Sequence, residues 1–277
     1  MDWSLVLFSQ GIESVLEQTP EGWQLRVADQ DFPRAQAILA QYETENRSCP
    51  RHASSALIGL GFDRVSLIWA AVVIAFYVGQ QQWSIYTELG CMLGSAVLAG
   101  EWWRLCTAVW LHADTSHLVL NLTSGVPLLG LTMGAYGSGI GLLTALLAGV
   151  LGNAAALAVG GATHRSLGAS GMILGALGML TAHAYWWHRQ IEADLRWAGA
   201  ALAAGVMLFL MVGAGEGSDL IAHAGGWGAG LVLGGILLRC SSVMTLRRPG
   251  RLNLVAGLMA ACFTVFAWLC AFRCHGG

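Results

Sequence analysis

Residues 220–238 read LIAHAGGWGAGLVLGGILL, an apolar stretch with no charged residue and a single histidine, His223. About 20 mainly apolar residues in helical form cross the hydrocarbon core of a bilayer, so this stretch predicts a membrane-spanning helix. Gly226 and Gly230 follow His223 at spacings that place all three residues on one helix face. Small residues at such spacings let two helix backbones approach closely inside a membrane.

Six further stretches meet or approach the same length. The chain of 277 residues is 56% hydrophobic and 11% charged with a mean hydropathy of +0.60, whereas a soluble domain carries about 25% charged residues. We therefore predict an all-α polytopic membrane protein with a core of six helices and a seventh, C-terminal transmembrane helix. The predicted spans are residues 65–83, 116–136, 139–159, 170–187, 195–212, 220–238 and 254–272.

Basic residues are concentrated in alternate connections between these spans. The positive-inside rule makes those connections cytosolic, which predicts a multi-pass protein of the plasma membrane with its N-terminus in the cytosol and its C-terminus outside. The start of the chain lacks a positively charged region, so we expect no cleaved signal peptide. The basic residues concerned are Arg47, Arg51, Arg64, Arg189, Arg196, Arg239, Arg247, Arg248 and Arg251.

The connection at residues 84–115 is too long for a simple turn and lies on the predicted outer side. It contains Tyr86, Trp102, Trp103 and Trp110. Aromatic side chains of this kind anchor a chain when they lie at the depth of the lipid headgroups. We therefore expect a partly submerged outer loop.

An extended polar stretch precedes the first span. Alternation at residues 23–27 predicts a short strand, and Asp31 ahead of Pro33 predicts the start of a helix. We predict a small α/β cytosolic domain of accessory role at residues 1–47 and a linker at 48–63. The six-helix core then occupies residues 64–240, and a loop with the extra helix occupies 241–277.

Charge and cysteine content exclude several classes of protein. The net charge is −2, so no basic surface indicates a nucleic-acid partner. The seven cysteines contain no CxxC pair and predict neither a disulfide framework nor a cofactor site. Cys91 and Cys106 both lie on the predicted outer side, and the sequence leaves open whether they pair.

Polar side chains that are costly inside a membrane gather at one end of the predicted bundle. His112, His117 and Asn121 mark the outer end of the second span, Ser170 begins the fourth, and His223 lies one turn into the sixth. Chain direction alternates, so these helix ends share one depth. Because a charged residue at mid-bilayer costs about 3 kcal/mol on insertion scales, such a cluster indicates a functional site.

The sequence Gly168-Ala169-Ser170-Gly171 places a serine in the first turn of a helix. The free N–H groups and the positive dipole end of a helix N-terminus suit an oxyanion. Taken alone, the same serine is more simply an N-cap. A serine hydroxyl becomes a nucleophile when a base within hydrogen-bond reach accepts its proton, and His223 is the candidate base.

His117 and Asn121 are four residues apart and share one helix face. Both side chains donate hydrogen bonds. With the backbone N–H groups near Ser170, they are candidate donors to the negative oxygen of a tetrahedral intermediate.

A rival hypothesis assigns part of this cluster to a metal ion, with His112, His117, Asp219 and His223 as ligands. No HExxH motif is present, and a metal leaves Ser170 and Asn121 without a role. We therefore predict no metal.

Four motifs follow one another along the chain: Trp103-Arg104, the pattern H-x4-H-x3-N formed by His112, His117 and Asn121, Gly168-Ala169-Ser170-Gly171, and Ala222-His223-Ala224-Gly225-Gly226 with Gly230. Together they resemble the motif set of the bacterial rhomboid family of intramembrane serine proteases. The resemblance covers residues 64–239. It implies that Ser170 is the nucleophile, that His223 is the base, and that His117, Asn121 and the Ser170 N–H form the oxyanion site. It implies supporting roles for Trp103, Arg104, His112, Gly168, Gly171, Gly226 and Gly230.

The resemblance also implies substrates and a reaction. Transmembrane protein segments in the lipid bilayer are expected to be cleaved near the outer leaflet, with no cofactor. The polar N-terminal stretch is similar to the small cytosolic domain of some bacterial rhomboids. The alternative is a non-catalytic rhomboid-like protein that binds transmembrane clients. The substrate, its sequence preference and the oligomeric state stay open.

One residue departs from the family pattern. Leu174 stands four residues after the serine, where many members carry an aromatic residue that packs on the histidine. We therefore expect His223 to be oriented more loosely.

Overall fold

The computed structural model describes residues 2–19, 22–45, 61–191, 195–213, 219–240 and 250–275. The chain divides into two compact units, residues 1–56 and 57–277.

Among its described residues, the first unit contains a β-hairpin and two helices. Its elements are α1 (Asp2–Ser9), β1 (Ser14–Thr19), β2 (Gly22–Val27) and α2 (Phe32–Glu45), and the strands are antiparallel. Leu7, Ile12 and Ala35 form a small core. The predicted strand and helix are present as β2 and α2. The sequence prediction missed α1, which is too short to show a period, and β1, which lacks clean alternation.

In the part of the chain that the structure describes, the second unit contains seven long helices, with several short elements between the first two. In chain order the elements are α3 (Val65–Gln82), α4 (Ile85–Gly90), β3 (Met92–Leu93), α5 (Gly94–Leu98), α6 (Arg104–Thr107), α7 (Thr115–Tyr136), α8 (Ser138–Gly160), β4 (Arg165–Ser166), α9 (Ser170–Ile191), α10 (Leu195–Gly213), α11 (Leu220–Cys240) and α12 (Arg251–His275). Each predicted span corresponds to one long helix.

Five of the long helices in the described residues are long and apolar enough to cross a membrane: α3, α7, α8, α11 and α12. Helix α9 carries His183, His188 and Arg189 toward its end, which lowers its hydropathy. For α10, the apolar stretch is Gly199–Met211. The chain is thus a multi-pass, all-α membrane protein, as its composition predicts.

Glycines bring α9 and α11 into backbone contact. A Cβ atom built on Gly226 would lie 2.3 Å from the carbonyl oxygen of Gly171, and one built on Gly230 would lie 2.0 Å from that of Gly175. No side chain fits at such distances, so the two helices approach as closely as their backbones allow. The fourth and sixth predicted spans thus pack tightly, through the close approach that the spacing of Gly226 and Gly230 in the sequence allows.

This contact gives opposite expectations for two neighbouring glycines. We expect Gly230→Ala to destabilise the protein by about 2 kcal/mol, because its methyl group overlaps a backbone oxygen that cannot move alone. A Cβ on Gly228 of the same helix meets nothing within 4 Å. Gly228→Ala should therefore be neutral or stabilise by up to about 1 kcal/mol, since alanine favours the helix. Thermal unfolding in detergent measures both, and equal shifts would contradict the packing described.

Arg104 holds the loop between α3 and α7 together from inside. Its Nε donates to Glu101 Oε2 at 2.6 Å, and its Nη1 donates to the carbonyl oxygens of Glu88 and Cys91, each at 2.8 Å. Asn153 of α8 donates its amide to the carbonyl oxygen of Leu105 at 2.8 Å. The loop is therefore fastened both to itself and to the helix bundle.

The expected aromatic anchors of this loop are only partly at its surface. Trp103 and Trp110 are buried, at 7% and 6% exposure, whereas Trp102 is exposed. The expectation was wrong for Trp103 and Trp110 because both side chains pack into the core of the unit. Cys91 and Cys106 are also buried in the described structure, each as a free thiol.

The seventh long helix, α12, lies against α8 and the loop between α3 and α7. The side-chain Oδ1 of Asn253 accepts hydrogen bonds from the backbone N–H groups of Gly139 and Ile140 at 3.1 and 3.2 Å, at the start of α8. Near its other end, Trp268 stacks on Phe76 with ring centroids 5.3 Å apart. Helix α12 is thus fixed at both ends.

Candidate active site

Ser170 and His223 are in direct contact. The distance from His223 Nε2 to Ser170 Oγ is 2.6 Å. Ser170 is the first residue of α9, and His223 lies in the first turns of α11, where only 6% of it is exposed. The glycine contact between the two helices brings these residues together, although they lie far apart in the sequence.

The other ring nitrogen of His223 contacts the last residue of α10. Nδ1 lies 2.6 Å from the carbonyl oxygen of Gly213. A carbonyl oxygen only accepts hydrogen bonds, so we assign the proton of the neutral ring to Nδ1. The lone pair of Nε2 is then directed at the serine hydroxyl, which is the tautomer that a general base requires.

Sequence reasoning missed Gly213, since a backbone carbonyl has no side-chain signature. Leu174, expected to loosen the histidine, is fully buried, and a Cβ built on Gly213 would lie 2.8 Å from its Cδ1 atom. In the structure the Gly213 carbonyl holds the ring of His223, in place of an aromatic neighbour at position 174.

Gly168 allows the segment before Ser170 to pass close to α7. Its φ is 141°, a conformation that L side chains rarely adopt. A Cβ at this position would lie 2.7 Å from Cε1 of His117. Its backbone N–H donates to the carbonyl oxygen of Ala108 at 2.9 Å, which ties the segment to the loop between α3 and α7. Gly168 thus brings His117 and Ser170 to the same cavity.

His117 and Asn121 differ in their placement. Asp114 caps α7, and its Oδ1 accepts from the backbone N–H of His117 at 2.8 Å. A hydrogen bond from the Ser116 hydroxyl and the bond from the His117 N–H hold the pKa of Asp114 below its usual value. The amide Nδ2 of Asn121 donates to the carbonyl oxygen of His117 at 3.1 Å, within its own helix. His117 lines the cavity beside Ser170, whereas Asn121 is buried and is not among the residues that line it.

His112 packs against His117. Its ring is 1% exposed and meets the ring of His117 edge-on, with centroids 5.3 Å apart. Gln80 at the end of α3 holds its backbone: Oε1 accepts from the His112 N–H at 2.9 Å, and Nε2 donates to the His112 carbonyl oxygen at 3.3 Å. Sequence reasoning missed Gln80. Burial, followed by the charge of neighbouring His117, lowers the pKa of His112 to about 4.

The lowered pKa of His112 has a consequence for stability. An unfolded histidine titrates near a pKa of about 6.5, so below that pH the unfolded chain binds a proton that the folded protein does not. The contribution of neutral His112 to the free energy of unfolding is therefore fully present above about pH 6.5 and falls as the pH is lowered. We expect the free energy of unfolding in detergent to lose about 2 kcal/mol through this residue by about pH 5. His112→Phe should remove that part of the pH dependence, and an unchanged dependence would contradict the assignment.

A cavity of about 550 Å³ surrounds the Ser170–His223 contact. Polar groups reach it from the end of α3, from the loop before α7 and the first turn of α7, from the segment before α9 and its first residue, and from the start of α11. Its lining includes Gln80, His112, His117, Ser166, Ser170, Asp219 and His223.

The residues proposed as a metal set do not form one. Within the described ranges, no three histidine, cysteine, aspartate or glutamate side chains come together as ligands. Asp219 instead accepts from the backbone N–H of Ala222 at 3.0 Å and lies 3.0 Å from His164. The rival metal hypothesis therefore has no ligand set in this part of the chain.

The family follows from comparison with known proteins. The model of the Rhomboid domain matches residues 99–240, just over half of the chain. The chain belongs to the rhomboid family. It is also similar to the rhomboid protease GluP of Bacillus subtilis (strain 168), with 38% identity over 91 residues. That match covers 33% of this chain and 18% of the relative, so the chain spans about a fifth of the relative's length.

Proposed function

We propose that the protein is an intramembrane serine endopeptidase in which Ser170 is the nucleophile and His223 the general base. The observation that carries the proposal is the 2.6 Å contact between His223 Nε2 and Ser170 Oγ, with the second ring nitrogen held by Gly213. A nucleophile, a base and a group that orients the base are the three parts of a serine hydrolase site. Membership of the rhomboid family and the name of the partial relative support the same activity.

The first half of the reaction forms an acyl-enzyme. As Ser170 Oγ bonds to the carbonyl carbon of the substrate, its proton passes to Nε2 of His223. The carbonyl oxygen becomes an oxyanion. Collapse of this intermediate breaks the C–N bond, and His223 gives its proton to the leaving amine. In the second half, water attacks the ester through the same histidine and releases the acid.

The oxyanion is expected to bind at the start of α9. The backbone N–H of Ser170 at this helix end is unpaired within the helix and carries the positive end of its dipole. The His117 side chain lines the cavity beside it. Asn121 already donates one amide hydrogen to His117, and its second amide hydrogen is the proposed further donor. Loss of one such donor costs about a hundredfold or more in rate.

Within the residues that the structure describes, the two ring nitrogens of His223 contact Gly213 and Ser170, and neither contact is with a carboxylate. The carbonyl of Gly213 orients the ring, but it carries no full charge to stabilise the imidazolium that forms. We therefore propose a Ser–His dyad in place of a triad. Its position at the outer helix ends indicates cleavage of transmembrane segments near the outer leaflet, where a substrate must offer an unwound bond.

The remaining proposals concern the setting of this site. The distribution of arginines supports a plasma-membrane protein with a cytosolic N-terminus and an external C-terminus. Residues 1–47 are proposed as an accessory cytosolic domain, 48–63 as a linker, 64–240 as the protease core and 241–277 as the loop and extra helix.

Cleavage of a transmembrane reporter in liposomes tests the activity. We expect wild type to cleave and Ser170→Ala and His223→Ala to lose about ten-thousandfold or more in kcat, since each removes a reacting group. Ser124→Ala is the matched control, because this serine bonds the Leu120 carbonyl within α7, away from the cavity. All variants should unfold at similar temperatures.

Two outcomes would redirect the proposal. Full cleavage by Ser170→Ala would end the serine-protease mechanism. A folded wild type that binds the reporter without cutting it would favour the alternative, a non-catalytic rhomboid-like protein that binds transmembrane clients.

A further inference from the structure

A second contact joins the two helix ends that carry Ser170 and His223. His164 Nε2 lies 3.0 Å from Asp219 Oδ2, and the side chains are 14% and 21% exposed. With its ring protonated, His164 forms an ion pair with this carboxylate. Partial burial screens such a pair less than a fully exposed one.

His164 belongs to a segment that is fastened to the outer loop before it enters α9. Its carbonyl oxygen accepts from the Gly94 N–H at 2.8 Å. The next two residues form β4, which pairs with β3 in the outer loop. With the hydrogen bond from Gly168 to Ala108, these contacts restrain the five residues between His164 and Ser170. The placement of His164 is thus linked to that of Ser170 through a restrained segment.

The two side-chain oxygens of Asp219 contact different partners. Oδ1 accepts from the Ala222 N–H at 3.0 Å and so caps the start of α11. Oδ2 is the atom that faces His164. The backbone oxygen of Asp219 accepts from the His223 N–H at 2.9 Å, one turn along. The carboxylate therefore connects His164 directly to the turn that carries the proposed base.

We propose that His164 and Asp219 are a positioning pair that holds the outer ends of α9 and α11 in register. The glycine contacts begin at Gly171 and Gly226 and fix the distance between the helix axes below the site. The pair restrains the same two helices above that level, at the edge of the cavity. This inference rests on the proposed protease function, and both residues act through Ser170 and His223.

The expected effect is on turnover. Proximity effects make a reaction sensitive to displacements of about 1 Å between reacting groups. Loss of the pair should therefore lower kcat per folded molecule. His164→Gln should leave KM nearly unchanged, because His164 is not among the residues that line the cavity, whereas Asp219 is.

A double-mutant cycle on the full chain in liposomes measures this coupling with the transmembrane reporter. Asp219→Asn retains an oxygen for the cap and removes the charge, and His164→Gln retains a polar group without charge. We expect each to lower kcat by about tenfold and the double variant to be no slower than either single variant. His164→Lys restores a cation opposite Asp219 and should recover most of the activity. Thr163→Ala, an exposed neighbour in the same segment, should match wild type.

Three results would overturn the inference. A wild-type kcat in both Asp219→Asn and His164→Gln would show that the pair does not position Ser170 and His223. A double variant whose loss equals the product of the single losses would show that the residues act separately. A lower unfolding temperature with unchanged kcat would reduce the pair to a structural contact. Ser170→Ala, measured alongside, separates the two levels: cleavage by it would remove the proposed function, whereas its inactivity beside fully active pair variants would remove this inference alone.

Discussion

Helices α9 and α11 touch through their backbones, and the rest of the candidate site depends on this contact. At Gly226 and Gly230 a single added carbon would fall within 2.3 and 2.0 Å of carbonyl oxygens on α9. Inside a bilayer, apolar surface gains little by leaving lipid, so close van der Waals packing of small residues has to hold such helices together. The result is a pair of helix ends near enough for Ser170 and His223 to share a hydrogen bond.

Contacts from the loop between α3 and α7 and from α10 add to the glycine contact between α9 and α11. Hydrogen bonds from Arg104 and Asn153 hold the loop between α3 and α7 in place, and the N–H of Gly168 bonds the segment before Ser170 to that loop. From the opposite side, the Gly213 carbonyl holds the ring of His223. Buried polar groups of this kind keep a defined geometry only when each finds its partner. Several separate contacts, none of them unusual, therefore act together to fix the positions of Ser170 and His223.

The sequence predicted those features that depend on composition and spacing. All seven long helices follow from apolar length, and the closeness of α9 and α11 follows from glycine spacing. His117, Ser170 and His223 were found because polar residues at one membrane depth are costly. The interactions that orient them were not predictable. Gly213 acts through its backbone, which has no side-chain signature. Gln80 acts through an amide that looks in the sequence like any other polar side chain. His164 acts through a partner 55 positions away in the sequence. The position of Trp103 and Trp110 was predicted wrongly because the sequence of a loop does not show which of its aromatic side chains pack into the core.

The central claim is that Ser170 is an activated nucleophile. A fluorophosphonate forms a covalent bond only with such a hydroxyl, and mass spectrometry of the digested protein locates the adduct without any substrate. The account predicts one adduct, on the peptide that contains Ser170, absent in Ser170→Ala and formed far more slowly in His223→Ala. A folded wild type that stays unlabelled, or an adduct that persists in Ser170→Ala, would contradict it.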